Sequence, residues 1–172
     1  MKKTLLLAIL LSLFYPLASF GQIQRQIWGL ELGISTEQDA VNILTQKGLE
    51  IKHENGKIVA MGAIRFGGFD WKAIQASFKD GKLLSVYFIN ILTNTYSEQE
   101  IFNRRWETLK MKLKRKYSEY LSKEDTEEKT IFFDDDNTKI MLSYSTSTSY
   151  FGLCYIDRKL YNAQSDEEDD EL

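Results

Sequence analysis

The chain has 172 residues, with 27% charged and 43% hydrophobic side chains, a formal net charge of −3, one cysteine, one histidine and one proline. That balance suits a folded protein and excludes a disulfide-stapled mini-protein and a zinc centre built from histidine and cysteine, because one of each cannot supply three or four soft ligands. The lone proline, Pro16, leaves no proline-rich linker to divide the rest.

Residues 1–21, MKKTLLLAILLSLFYPLASFG, place Lys2 and Lys3 ahead of an apolar run from Leu5 to Leu17 and finish on Ser19 and Gly21. This is the order of a signal peptide, and the run is too short for the roughly 20 apolar residues of a membrane span. The expectation is cleavage after Gly21, leaving Gln22 first in an exported product, periplasmic or extracellular. No cysteine stands at the cleavage site to take a lipid, and no later stretch is apolar enough to span a bilayer. Without residues 1–21, 20 basic and 25 acidic side chains remain, and six of the acids fall in the last eight residues, SDEEDDEL. Such a run repels itself and buries no apolar surface, so 163–172 reads as an acidic disordered tail and 22–162 as a single domain.

The first element follows the stretch WGLELGISTEQDA, residues 28–40, where Gly29 and Gly33 precede a helix start. Two jobs suit it: cradling an anion, or capping a helix. An anion cradle calls for a lysine, a longer glycine loop or a preceding buried strand, and none is present. Ser35 with Gln38 reads instead as a capping box. From Thr36 to Lys47, Ala40, Val41 and Leu44 share one helical face, and Gly48 is a natural stop. The segments LEIKH and IVAM then form a hairpin around Asn55-Gly56, and WKAIQASF and LLSVYFINIL form another around Asp80-Gly81. Ile74, Ala76 and Phe78 alternate in the first strand of that second hairpin. Its partner is apolar on both faces, the pattern of a central strand covered on both sides.

A longer helix is expected from Ser97 to about Tyr120, with Ser97 and Glu100 as its capping box. Phe102, Trp106, Leu109, Leu113 and Tyr117 recur at spacings of four and three and make one apolar stripe. Three strand candidates follow, TIFF, KIMLSYS and SYFGLCYID, and in the middle one Ile140, Leu142 and Tyr144 alternate. Helix then strands thus occurs twice, and TEQDAV from Thr36 matches SEQEIF from Ser97 in character. Tandem repeats over 28–92 and 96–160 account for this, as does the shared need of helices for caps and early acids. The expected fold is α+β: two helix-plus-antiparallel-meander units sharing a sheet, with the helices packed on one face.

The segment GISTEQDAVNILTQKG, through Gly33, Ser35, Ala40, Val41, Leu44 and Gly48, resembles the helix start of the small outer-membrane assembly lipoproteins of the SmpA/OmlA (BamE) type. Two such units in tandem are similar to the beta-lactamase-inhibitor-protein fold and to PepSY-like secreted domains. The motif covers about twenty residues and the architectural likeness about 130. The chain departs from the lipoproteins in having no lipidated cysteine, and its second helix has no preceding Gly-x-Ser. The resemblance implies a binding module of the envelope or exterior, not an enzyme.

The residues supply no set that names a reaction. His53 lies in a strand-and-turn context without a partner near in sequence, and Cys154 reads as a small buried hydrophobe. FDDDNTK, with Asp134, Asp135, Asp136 and Asn137, offers oxygen donors to a calcium ion or forms a hairpin turn; its spacing is not that of a calcium loop. No metal and no cofactor is expected. Along the second helix, Arg104, Arg105, Lys112, Arg115 and Lys116 form a basic strip. It suits an acidic partner such as anionic lipid or the chain's own tail, or is a solvated face; nucleic acid is not expected. Among the aromatics on predicted strands, which also include Trp28 and Tyr155, the partner-binding candidates are Trp71, Tyr87, Tyr144 and Tyr150, on a sheet face left open by one-sided helix cover. The alternative is that they complete the core, as Trp106 does within its stripe. The function expected is that of an exported binding module meeting a protein or envelope component through its sheet; a secreted hydrolase with a carboxylate-based site and a structural envelope subunit are the alternatives.

Overall fold

The computed structural model describes residues 22–91, 96–145 and 150–170, apart from the side chains of 96–98 and 166–170. The expected leader, residues 1–21, lies outside these described residues.

The glycine-spaced opening folds as a small hairpin, β1 (Gln26–Ile27) with β2 (Leu30–Glu31), turning at Trp28 and Gly29. Both turn residues have positive φ, +55° and +97°, the geometry that matches the twist of two-residue hairpins. Helix α1 (Glu37–Gln46) begins one residue later than the sequence suggests. Its cap is Thr36: the hydroxyl accepts from the Asp39 N–H, and the Asp39 carboxylate accepts from the Thr36 N–H at 2.9 Å. These bonds hold the Asp39 carboxyl below its ordinary value. Ser35 is excluded from the role because its carbonyl accepts from Leu83 N–H, which pins it to the sheet, and its buried hydroxyl accepts from Glu31 N–H.

Four strands follow α1 as a meander: β3 (Glu50–Glu54), β4 (Lys57–Phe66), β5 (Phe69–Lys79) and β6 (Lys82–Ile91). The Asn55-Gly56 and Asp80-Gly81 turns have φ of +50° and +72°, and of +52° and +71°, the primed turns their residues call for. Helix α2 (Tyr96–Tyr117) and a short 3-10 turn (Ser118–Tyr120) lead to a second meander, β7 (Leu121–Asp125), β8 (Thr130–Asp134), β9 (Thr138–Ser145) and β10 (Tyr150–Asp157). Ser97 lies inside α2 and not at its cap, and its side chain is outside the described residues. Strand β7 was not expected. Nor was helix α3 (Arg158–Asp170), which takes in residues 163–170 of the expected tail. It forms because the Asp157 carboxylate accepts from Leu160 N–H at 2.9 Å and caps it.

The fold is α+β, with one eight-stranded antiparallel sheet in the order β3-β4-β5-β6-β10-β9-β8-β7. Each meander keeps its chain order, and the two join through their last strands, β6 and β10. Both α1 and α2 cover the same face. Phe102 of α2 meets Phe151 of β10 with ring centroids 5.5 Å apart, and Tyr117 meets Phe133 of β8 at 6.3 Å. Ala40 and Leu44 of α1 belong to the same continuous core as Ile58, Phe88 and Ile140. Ile23, Ile27, Leu30 and Leu32 of the N-terminal segment are buried in it too. This segment straps one end of the sheet: Gly33 N–H donates to Leu83 on β6, and Ile23 N–H donates to the Asp135 carboxylate beyond β8.

Candidate functional site

Strand pleating sends alternate side chains to opposite faces. On β6, Leu83, Val86 and Phe88 point to the core; on β9 Ile140, Leu142 and Tyr144 do; on β10 Phe151, Leu153 and Tyr155 do. The residues between them make the other face, which neither α1 nor α2 covers. Strand β6 is central as expected, yet its second apolar side, with Tyr87 and Ile89, lies on this open face and not under a second layer.

Register assembles that face into rows. One runs through Val59, Gln75, Tyr87, Cys154, Met141 and Phe132, each paired with the next across neighbouring strands, with Lys52 and Lys123 at its two ends. The next runs through Met61, Ala73, Ile89, Gly152, Ser143 and Thr130. The centre is therefore apolar and aromatic with interspersed serines, and the charges stand at the edge strands and, as Lys57 and Lys139, at one end of the face. Those edges, EIKHE in β3 and LSKED in β7, are short and charged, which discourages strand addition by another chain.

Gly152 sets the middle of the face. A Cβ there would strike the Tyr150 hydroxyl and the Tyr87 ring, so its absence lets both tyrosines lie over β10. Their rings meet edge to face at 5.6 Å. Burial pushes the Tyr87 phenol up to about 12, against the lowering effect of its hydrogen bond with Ser143. The Tyr150 hydroxyl is buried without a hydrogen-bond partner among the described residues. Beneath this pair Cys154 is buried, and desolvation raises its thiol to about 12, as suits a packing residue.

At one end of the face, α3 turns over the strands. Tyr161 and Gln164 line a hollow of about 300 Å³ with Lys57, Ser77, Ser85 and Ile156, and Lys139 lies 5.9 Å from the Tyr161 ring centre. The acidic run thus starts from the side of the sheet opposite α2.

Of the four partner-binding candidates, Tyr87 and Tyr150 sit on the open face, and Trp71 and Tyr144 do not. Tyr144, 2% exposed, shares the inward stripe of β9 and meets Phe151. Strict alternation from inward Ile74 puts Trp71 outside. The ladder irregularity between Met61 and Ile64 turns it inward instead, where it stacks on Phe151 and its indole N–H donates to Phe66 O at 3.0 Å. Trp28 stays in the β1–β2 turn under Lys47, and Tyr155 is core. The sequence reading missed Ile89, Met141 and Phe132; their alternation with buried neighbours was the available signal.

The five basic candidates lie together on one side of α2. Arg104 pairs with Glu100 at 3.0 Å, Arg105 stacks over Phe102, Lys112 donates to Gly67 O, and Lys116 reaches Gln24. Arg115 is exposed. His53 is exposed on β3, 3.1 Å from Glu37. Asp134 to Asn137 form the expected β8–β9 turn, in which one Asp135 oxygen accepts from Asn137 and Thr138 N–H and the other from Ile23 N–H. No helix among the described residues is long and apolar enough to cross a membrane. No protein-family model, curated protein or solved structure matches the chain.

Proposed function

We propose that the chain is an exported binding module that engages another protein through the open face of its sheet, with no catalysis of its own. The observation that carries this reading is the register row from Val59 to Phe132, with Tyr87, Cys154 and Met141 in it and Ile89 in the row beside it. A broad face of aromatic and aliphatic side chains among serines, with charge confined to the rim, has the composition of a protein-binding patch. Tyrosine ordered over Gly152 suits a contact anchor, because a rigid aromatic loses little conformational freedom on binding. Export rests on the charged, apolar and small-residue order of residues 1–21.

The test is site-specific photo-crosslinking in cells that make the chain, with the probe at Ile89, at Met141, and at exposed Gln46 on α1 as the control. The expected result is one defined adduct from the two sheet positions, absent from Gln46 and abolished by Tyr87→Lys. The same adducts from all three positions, or none from the sheet positions, would overturn the proposal.

A further inference from the structure

On the other side of the molecule, α2 presents a surface that the sheet face does not use. Its buried stripe accounts for one side of the helix. On the side turned outward, Ile101 and Met111, 45% and 64% exposed, stand in line with Arg104, Arg105, Lys112 and Arg115 at helical spacing. The cations of the two flanks are treated differently. Lys110 and Lys114 are answered by Glu124 at 3.7 and 2.5 Å. Among the described residues, only Arg104 of the outward four has a carboxylate, Glu100. Arg105 also lines a hollow of about 290 Å³ with Lys72, Trp71, Phe102 and Ile101; Asp70 at its rim is engaged by Arg65 at 3.9 Å.

We propose that this side of α2 seats on an anionic phospholipid surface. Arg105 and Lys72 take a headgroup phosphate in the hollow, Lys112 and Arg115 meet the surface charge, and Ile101 and Met111 enter the interfacial layer. A soluble acidic polypeptide satisfies the cations alone and leaves two large apolar side chains in water. A bilayer surface satisfies both. Tyr161 and Gln164, from which the acidic run continues, lie on the opposite side of the sheet from this strip.

The test is co-sedimentation with phosphatidylcholine vesicles, with and without phosphatidylglycerol. The chain begins at Gln22, which keeps the whole described core and removes the apolar run of residues 5–17 as a source of membrane affinity. Binding is expected only with phosphatidylglycerol, weakening with salt, and falling about fivefold for each of Arg105→Gln and Arg115→Gln. Met111→Ser weakens it as well, and Lys52→Gln on edge strand β3 leaves it unchanged. Thermal melts establish that each variant is folded, and the exposure of Arg115 and Met111 keeps those two informative if Arg105→Gln is not. Equal loss with Lys52→Gln, or binding without phosphatidylglycerol, overturns the proposal. So does displacement of the vesicles by a soluble SDEEDDEL peptide with Met111→Ser having no effect, which would assign the strip to an acidic polypeptide.

Discussion

Arg25 and Asp157 form an ion pair, Nη2 to Oδ2 at 2.5 Å, with the Asp157 side chain only 3% exposed. Its consequences spread from both ends. The arginine also donates to Asn137 O and Leu32 O, and the other carboxylate oxygen accepts from Leu160 N–H. One pair therefore ties the N-terminal strap to the β8–β9 turn, the end of β10 and the start of α3. Arg25→Met leaves a buried carboxylate without its cation, and the expected loss is about 3–5 kcal/mol in urea denaturation. A loss below about 1 kcal/mol would mean the pair is effectively solvated.

Gly33 is the residue that makes room for this pair. Its φ is +74°, and a Cβ would come within 2.5 Å of Asp157 Oδ2 and 2.8 Å of Arg25 Nη2. Gly33→Ala is expected to cost about 1–3 kcal/mol from backbone strain alone, and more as the ion pair is forced apart. Combined with Arg25→Met, the two losses should fall short of their sum, because both act on one pair. Full additivity would separate the glycine from the ion pair.

Glu124 on β7 has its carboxyl held below the ordinary value of 4.5, first by the hydrogen bond from Lys114 and then by the nearby charges of Lys114 and Lys110. A depressed folded-state value means that the stabilisation is present above pH 4.5 and is lost as pH falls through the folded value. Denaturation midpoints measured across the acid range should fall less steeply for Glu124→Gln than for the parent. Identical slopes would show the lysine contact to be dispensable.

Cys154 makes the opposite prediction at high pH. With the thiol raised to about 12 by burial, ionisation favours the unfolded chain from its ordinary value of 9 upward, so stability is full below pH 9 and declines toward pH 12. In native protein near pH 8, a thiol reagent should label Cys154 only at the rate of unfolding. Fast labelling without denaturant would place the thiol in solvent.

How far the sequence reveals this molecule depends on what shaped each segment. Helix α2 is legible because Phe102, Trp106, Leu109, Leu113 and Tyr117 mark a single side, and the β3–β4 and β5–β6 turns because Asn-Gly and Asp-Gly tolerate positive φ. Strand β7 is hidden by the property that protects it, since an edge of Ser, Lys, Glu and Asp shows no apolar alternation. Helix α3 is hidden because its cap, Asp157, sits at a strand end and its later composition reads as solvated. At the candidate face, Tyr87 and Tyr150 were identifiable as strand aromatics, as were Trp71 and Tyr144. What separates the pairs is which sheet side the helices cover and where the β4–β5 ladder slips between Met61 and Ile64, both set by distant packing.

The pairing of β6 with β10, from Ser85 with Ile156 to Ile91 with Tyr150, is the only strand-to-strand ladder between the two meanders among the described residues. Since β10 is the last of the described strands, β6 waits with open N–H and C=O groups until the second meander has been made. During that interval Leu83 to Ile91 is an apolar template for another growing chain. A second molecule that lends its β10 rebuilds the same ladder, so exchanged dimers and β6-to-β6 aggregates are the errors this topology invites during synthesis.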